Sequence, residues 1–198
     1  DAFPNNKKAK LMLANLDKSF QNGKVKKPPS NIINQLVTLY NQGHLSLVIE
    51  HCQRFIGQFP DAFIIWNILG AANKGLGRVE EASKAFMKVV KLNPTYADGY
   101  NNLGVTLQEQ GKFDGALVAY KKAISIKPNY AEAYNNLGNT LLEQGEPAGA
   151  ISSYKKAISI DSNYAEANYN MGFALSSINK PEEAIVAYNI AISMKPNY

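Results

Sequence analysis

The chain repeats itself with a fixed period over its C-terminal half. Three blocks of 34 residues can be laid on one another, namely Ala97–Tyr130, Ala131–Tyr164 and Ala165–Tyr198. A period of this length is typical of stacked helix pairs, because one pair cannot bury its own apolar face and needs neighbours. The sequence therefore predicts an all-α fold, a solenoid of antiparallel helix pairs. Solenoids of this kind bind other molecules far more often than they catalyse reactions.

The period extends towards the N-terminus with decreasing clarity. Residues 63–96 keep the pattern, whereas residues 29–62 have Leu36 and Val48 where the other units have Gly and Ala. We therefore divide the repeat region into five units, which are 29–62, 63–96, 97–130, 131–164 and 165–198. Residues 1–28 are predicted to form a basic amphipathic helix and a linker, and they resemble the tail of an upstream repeat.

Each of the last four units has a glycine at its eighth place, inside the first helix. A mid-helix Gly costs about 0.5–1 kcal/mol relative to Ala, so it needs a packing reason. We interpret Gly104 and Gly138 as positions where the second helix of the pair approaches closely. The spacing of Asn129 and Glu132, which recurs one period later, predicts an N-cap for the following helix.

These positions match the pattern of a known family. In the unit that begins at Ala97, the pattern residues are Tyr100, Leu103, Gly104, Ala116, Tyr120, Ala123 and Pro128. On these residues the chain resembles the tetratricopeptide repeat (TPR) family. The resemblance implies a right-handed superhelix whose first helices line a concave groove. The pattern is broken at Asn168, Asn179 and Ser162, which replace the fourth-place aromatic, the turn glycine and the helix-ending proline.

The family's geometry places the second, fifth, sixth, ninth and twelfth residues of each unit on the concave face. The side chains predicted to bind a peptide there are Asn101, Asn102, Asn135, Asn136, Asn139, Tyr169, Asn170 and Phe173. A primary amide can donate to a peptide carbonyl and accept from a peptide N–H, so the sixth-place asparagines predict a ladder that grips peptide backbone. This ladder resembles the one in the superhelix of protein O-linked N-acetylglucosamine transferases. The alternative is that these amides bond only within or between the protein's own helices.

Charge narrows the class of partner. The second place of the units holds Asp98, Glu132 and Glu166, which favour a neutral or basic protein segment. The net charge of +5 is carried within residues 1–28, where seven lysines stand against two aspartates, so the repeats are neutral. We therefore expect no nucleic acid as a partner. No apolar run approaches the roughly 18 residues of a membrane helix, so no membrane partner is expected either.

The sequence predicts no enzyme chemistry. His44 and His51 are the only histidines, and their spacing fits no Cys/His metal site. The glycines are distributed one or a few per unit rather than gathered in a phosphate-binding loop. We therefore predict no catalytic residue, no metal and no other cofactor. The single cysteine, Cys52, excludes an intramolecular disulfide and fits a reducing, cytoplasmic location.

Three functions are consistent with the sequence. The first is a noncatalytic TPR scaffold that binds a protein or an extended peptide in its concave groove. The second is a substrate-presenting segment of a larger glycosyltransferase- or sulfotransferase-type enzyme, which the lack of an initial Met and an end on a repeat boundary favour. The third is a scaffold that self-assembles into homo-oligomers through uncapped ends, where Ile185 and Ile192 would lack a neighbour.

Overall fold

The structure of this protein is a computed structural model, and it describes residues 27–195. Within this range it has ten α-helices and no strand, so the all-α prediction is confirmed. The helices are α1 Ser30–Asn41, α2 Leu45–Gln58, α3 Phe63–Gly75, α4 Val79–Leu92, α5 Ala97–Glu109, α6 Phe113–Ile126, α7 Ala131–Glu143, α8 Pro147–Ile160, α9 Ala165–Ser177 and α10 Pro181–Met194. The helix predicted at Lys7–Phe20 lies outside the described residues.

The helices form antiparallel pairs, and each pair is closed by a tight turn with one left-handed residue. Gly43, Gly77, Gly111 and Gly145 have φ values of +77°, +71°, +70° and +79°. A residue without a Cβ adopts this conformation at no steric cost. In the turn before α10 the residue is Asn179, with φ +58°. Asparagine tolerates this region better than most residues, so the broken pattern at this place keeps the turn.

The chain divides after Leu92 into two compact units. In residues 27–92 the core consists of large apolar side chains contributed mainly by α1, α2 and α3. Leu36, Phe55 and Ile65 are fully buried there. Each buried side chain of this size contributes about 1.5–3 kcal/mol relative to an exposed one, so apolar packing is a large part of what stabilises this unit.

In residues 93–195 glycine and alanine lie at the contacts within each helix pair, and the two helices approach closely there. A methyl group added at Gly104 would lie 2.5 Å from Cε1 of Tyr120, and one at Gly138 would lie 2.5 Å from Cε1 of Tyr154. Both tyrosines are fully buried. Only hydrogen fits at these glycines, so the close approach predicted from the eighth-place glycines is confirmed.

The predicted N-cap role of Asn129 is wrong. α7 begins at Ala131, and its N-cap position is Tyr130, which makes no side-chain cap hydrogen bond. The same arrangement recurs one period later, at the start of α9. Glu132 does not complete a capping box, because its carboxylate accepts a hydrogen bond from the preceding repeat instead.

Candidate functional site

The predicted binding residues lie on the first helices of the second unit, α5, α7 and α9. Hydrogen bonds between their side chains connect α5 to α7 and α7 to α9. We use the name ladder face for the surface that these residues form. Its half-buried and exposed members are Asn102, Asn136, Asn139, Tyr169, Asn170 and Phe173, and the predicted binding residues Asn101 and Asn135 lie buried beneath it.

The fifth-place asparagines are buried beneath this face. Asn101 is 1% exposed and Asn135 is 0% exposed. Nδ2 of Asn101 donates to Oε1 of Glu132 on the next first helix at 3.0 Å, and Nδ2 of Asn135 donates to Oε1 of Glu166 at 3.1 Å. These two asparagines join consecutive repeats, and they act on the ladder face by positioning their neighbours.

The sixth-place asparagines complete the same links. Nδ2 of Asn136 donates to Oδ1 of Asn101 at 3.1 Å, and Nδ2 of Asn170 donates to Oδ1 of Asn135, also at 3.1 Å. Asn170 makes a second bond, to Oδ1 of Asn139 at 3.1 Å. The sixth-place amides are half-buried rather than buried, as is Asn102. The bonds between helices that the sequence left as an alternative are therefore present.

The carboxylates determine which atom of each amide donates and which atom accepts. A carboxylate accepts hydrogen bonds and does not donate them, so Glu132 fixes which end of the Asn101 amide faces it. Oδ1 of Asn101 must then accept from Nδ2 of Asn136. Within the described part of the chain, Oδ1 of Asn136 has no donor, and the same holds for Oδ1 of Asn170. The ladder face therefore offers these two oxygens as acceptors, and it offers the Nδ2 group of Asn139, whose Oδ1 accepts from Tyr154 and Asn170, as a donor.

Two tyrosines of the second helices donate hydrogen bonds to side chains of the first helices. Tyr120 Oη donates to Oε1 of Gln108 at 3.0 Å, and Tyr154 Oη donates to Oδ1 of Asn139 at 2.8 Å. Thr140 also donates to Gln108, at 3.0 Å. Burial raises the pKa of both tyrosines above its ordinary value, and nearby carboxylates raise each pKa further. Both hydroxyls therefore remain protonated donors at neutral pH.

The ladder face differs on α9, because an amide occupies the fourth place of this unit and an aromatic residue occupies the fifth. α7 has Tyr134 before the buried Asn135, whereas α9 has Asn168 before Tyr169. Asn168 is buried, and its Nδ2 donates to the carbonyl oxygen of Tyr164 at 3.1 Å. Tyr169 is exposed as a result, and its ring lies 5.5 Å from that of Tyr188.

Phe173 extends the aromatic part of the face, and it is 55% exposed. It stands at the ninth place, where α7 has Asn139 and α5 has Val105. An aromatic ring in this position offers apolar contact area next to a row of amides. The ladder face thus has an amide region on α5 and α7 and an aromatic region on α9.

The charges of the first helices have one sign. α5, α7 and α9 contain no Lys, Arg or His, and their acidic residues are Asp98, Glu109, Glu132, Glu143 and Glu166. Burial, followed by the nearby carboxylate of Asp98, raises the pKa of Tyr130 above its ordinary value. The lysine pairs Lys121–Lys122 and Lys155–Lys156 lie exposed on α6 and α8, as predicted. The charged residues of α5, α7 and α9 are therefore all acidic.

Three polar residues of this network were missed at the sequence level. Gln108, Thr140 and Tyr120 meet at one oxygen, but each was assigned only a packing role or none. The available signal was the tyrosine at the same place in three units, since a buried tyrosine hydroxyl needs a partner. The unit at 63–96 has Phe86 at that place and needs none.

Other kinds of site find little support in the structure. No group of three or more His, Cys, Asp or Glu side chains among residues 27–195 is placed to hold a metal ion. None of the ten described helices is long and apolar enough to cross a membrane. Cys52 is buried, and burial raises the pKa of its thiol to about 12, so the thiol is protonated at neutral pH.

Family models confirm the class of protein. A TPR repeat model matches residues 70–111, 107–145 and 138–179, and a tetratricopeptide repeat model matches residues 165–198. These matches span more than half of the chain. The chain therefore belongs to the tetratricopeptide repeat family, as its residue pattern predicted. No curated protein matches the sequence.

Solved structures of other TPR proteins share the fold. MamA, whose crystal structure is known, shares 25% sequence identity with this chain and superposes on it with a TM-score of 0.75. The match covers 81% of this chain and 94% of the MamA chain. YrrB, whose structure is described as that of a TPR protein with an unusual peptide-binding site, is 22% identical with a TM-score of 0.70, over 84% of this chain and 86% of that one. TTC0263, a thermophilic TPR protein from Thermus thermophilus, is 24% identical with a TM-score of 0.68, over 84% of this chain and 91% of that one.

Proposed function

We propose that this protein is a noncatalytic scaffold that binds an extended, neutral-to-basic peptide segment along the ladder face. The observation that carries the proposal is the direction of the amide links. Glu132 and Glu166 fix the orientation of the buried amides of Asn101 and Asn135, whose oxygens then accept from Asn136 and Asn170. Oδ1 of Asn136 and Oδ1 of Asn170 are therefore left to accept from a ligand.

The spacing of the face suits an extended chain. Neighbouring helices pack about 8–10 Å apart, and an extended peptide advances about 3.3 Å per residue. One acceptor per repeat therefore meets roughly every third residue of the ligand. Backbone N–H groups are present in almost every sequence, so the amides supply affinity, and the carboxylates select lysine or arginine side chains.

The aromatic region supplies a second element of recognition. Tyr169 and Phe173 are exposed on α9, and aromatic rings are enriched at the energetic centres of protein interfaces. We expect an apolar or aromatic ligand side chain to contact these rings while basic side chains lie near Glu132 and Glu166. The peptide-binding description of YrrB supports this class of ligand for a related fold.

The amide ladder also supports a narrower alternative. Its resemblance to the superhelix of protein O-linked N-acetylglucosamine transferases fits a segment that presents substrates to a transferase. Both alternatives use the same face and the same peptide chemistry. We further propose a cytoplasmic location, on the ground that the single cysteine, Cys52, is buried and free of any disulfide.

Binding of a matched peptide pair tests the proposal. The probe is a labelled, unstructured 12-residue peptide with alternating lysines and one tyrosine, and its partner has glutamate at every lysine position. We expect fluorescence anisotropy to show binding of the lysine peptide at low salt and none of the glutamate peptide. Equal binding of the two peptides would contradict the proposal.

A pair of double variants shows whether the carboxylates of the ladder face are responsible. Glu132→Gln with Glu166→Gln removes two charges but keeps an oxygen that can accept from the buried asparagines. The matched control is Glu182→Gln with Glu183→Gln, which removes two carboxylates from the start of α10. We expect about a 5-fold to 30-fold loss of lysine-peptide affinity in the first variant only, from about 0.5–1 kcal/mol for each of two exposed pairs.

A further inference from the structure

The outer surface of α10 differs from that of the second helices before it. At the places of Lys155 and Lys156 in α8, α10 has Asn189 and Ile190. Where α8 has Ser152, α10 has Val186, as α6 has Val118. The helix pairs otherwise share their pattern, so α10 has lost the lysine pair that keeps the outer surfaces of α6 and α8 hydrated.

This surface of α10 is exposed and carries no charged side chain. We define the α10 outer face as Val186, Asn189, Ile190 and Ser193. Val186 is 59% exposed and Ile190 is 39% exposed. The hydroxyl of Ser193 donates to the carbonyl oxygen of Ile190 at 2.7 Å, so it is satisfied within the helix. No charged residue lies between Glu183 and Lys195.

Another helix pair stacked on α10 would not cover this face. α8 has such a neighbour, since α9 packs against it, and this contact buries Ile151 to 8% exposure. Ser152 and Lys156 of α8 nevertheless remain exposed. By the same geometry a following pair would cover Ile185, the equivalent of Ile151, and would leave Val186 and Ile190 exposed. The α10 outer face therefore needs a different partner from the one that repeat stacking provides.

We propose that the α10 outer face binds a second copy of this chain, with the two α10 helices antiparallel around a two-fold axis. In a two-fold contact, residues near the axis meet their own counterparts. The lysine pair of α8 would repel its own copy in that position, whereas Asn189 and Ile190 do not. Loss of like charge with gain of aliphatic surface is the change that self-association requires.

The charges at the helix ends favour the antiparallel direction. The start of α10 has Lys180, Glu182 and Glu183, a net charge of −1 with Lys180 paired to Glu183, and Lys195 follows directly after the last residue of the helix. An antiparallel arrangement places the acidic end of one copy beside the basic end of the other. It also places the positive N-terminal end of each helix dipole beside the negative C-terminal end of the other. A parallel arrangement would bring like charges together at both ends.

The size of the contact predicts its strength. A helix of 14 residues is about 21 Å long, so the two outer faces bury an area at or below the lower end of specific interfaces, about 1,200 Å² in total. We therefore expect a reversible dimer whose population rises with protein concentration.

Sedimentation over a range of concentrations tests the dimer. The variant is Val186→Ser with Ile190→Lys, which installs the residues that α8 carries at these exposed places. The proposal expects a dimer for the parent chain and self-association weaker by about tenfold or more in the variant, because two aliphatic side chains leave the contact. The matched control is Val118→Ser on α6, an exposed valine whose change should leave the dimer intact.

Two outcomes of this experiment would overturn the proposal. One is a parent chain that stays monomeric at every concentration, which would assign the face to another protein. The other is self-association that survives Val186→Ser with Ile190→Lys but is lost on changing Ile185 and Ile192 to Lys. That result would assign assembly to end-to-end stacking of repeats.

A cysteine near the proposed axis gives an independent readout. Asn189 lies close to the middle of α10, so Asn189→Cys should meet its own copy and form a disulfide-linked dimer on mild oxidation. The control is Lys155→Cys, the equivalent position on α8, which should remain monomeric. Cys52 is buried and does not compete. Equal cross-linking at both positions, or none at residue 189, would contradict the two-fold contact.

Discussion

The two units of this protein hold similar helix pairs together by different means. In residues 27–92 the first helices contribute large aliphatic side chains, such as Leu36, Ile65 and Ile68, to a continuous apolar core. In residues 93–195 the corresponding helices contribute glycine, alanine and asparagine, and amide–carboxylate links join consecutive repeats. The amide links of the second unit leave the oxygens of Asn136 and Asn170 available as acceptors. Only the second unit therefore carries a ladder face.

The two units differ by one hydroxyl group at the place where the ring of the second helix packs on the first helix. Phe86, Tyr120 and Tyr154 occupy the same place in successive repeats, and each ring lies against the eighth-place glycine of its own pair. Phe86 fills the space and needs no partner. The two tyrosines bring a hydroxyl that bonds to Gln108 and Asn139 on the first helix. The tyrosine repeats thus connect the core to the ladder face.

The largest effect is expected in the apolar unit. Phe55 is fully buried in its core, so Phe55→Ala should cost about 3–5 kcal/mol of unfolding free energy through lost burial and the cavity left behind. Urea unfolding followed by circular dichroism measures the change. Gln53→Ala, at an exposed position two residues away, should change stability by less than about 0.5 kcal/mol. A loss below about 1 kcal/mol for Phe55→Ala would contradict an apolar core as the basis of this unit.

The next effect is expected where the amide links are broken. Asn136→Ala removes the donor to Oδ1 of buried Asn101, and an unsatisfied buried acceptor costs about 1–3 kcal/mol. Asn34→Ala, at an exposed helical position of the first unit, should instead gain a few tenths of a kcal/mol from helix propensity. Urea unfolding of both variants makes the comparison. Equal and small changes would show that the amide links contribute nothing to stability.

The cost of replacing the sixth-place asparagines could not be predicted from the sequence. Helix propensity alone makes Ala the better residue at Asn102, Asn136 and Asn170, and it predicts no cost for their replacement. The cost arises from bonds to residues 31 to 35 positions away, such as Asn136 to Asn101. A repeat period predicts that equivalent residues stack, but it does not decide which amide atom faces which neighbour.

The helix pairs and their close contacts were accessible from the sequence because both depend on local chemistry. The period predicts the helix starts, and the eighth-place glycines predict the approach of the tyrosine rings. The burial of Asn101 and Asn135 was not accessible, because fifth and sixth places are adjacent on a helix and their exposure depends on the next repeat. The exchange of Asn168 and Tyr169 was visible as a broken pattern, but its result, an exposed aromatic, needed the structure.

A methyl group at the close glycine contact of the second unit should have a smaller net effect on stability, because overpacking and helix propensity act in opposite directions. Gly138→Ala places a methyl group 2.5 Å from the buried ring of Tyr154, and such overpacking costs about 1–3 kcal/mol against a gain of up to about 1 kcal/mol in propensity. Gly57→Ala in α2 meets no atom within 4 Å, so only the propensity gain remains. Thermal unfolding should show a lower melting temperature for the first variant and an equal or higher one for the second. Stabilisation by Gly138→Ala would mean that the ring moves aside freely.

The smallest effect at neutral pH should come from the tyrosine hydroxyls, and it has a distinctive pH dependence. Burial, followed by nearby carboxylates, raises the pKa of Tyr120 and of Tyr154 in the folded protein above the ordinary value of about 10. A raised folded pKa means that stability is fully present below about pH 10 and is lost as pH rises towards the folded pKa. Each tyrosine should remove about 1.4 kcal/mol per pH unit over that window.

Tyr120→Phe with Tyr154→Phe should remove this contribution to the alkaline slope, because phenylalanine does not ionise. At pH 7 the double variant should be less stable by about 1 kcal/mol for each lost hydrogen bond to Gln108 and Asn139. Urea unfolding at several pH values from neutral to about 11 measures both quantities, and Tyr120→Phe alone should give half of each change. Since Phe86 already lacks the hydroxyl, the double variant converts the second unit to the chemistry of the first at this place. An unchanged alkaline slope would show that the two hydroxyls titrate as freely in the folded chain as in the unfolded one.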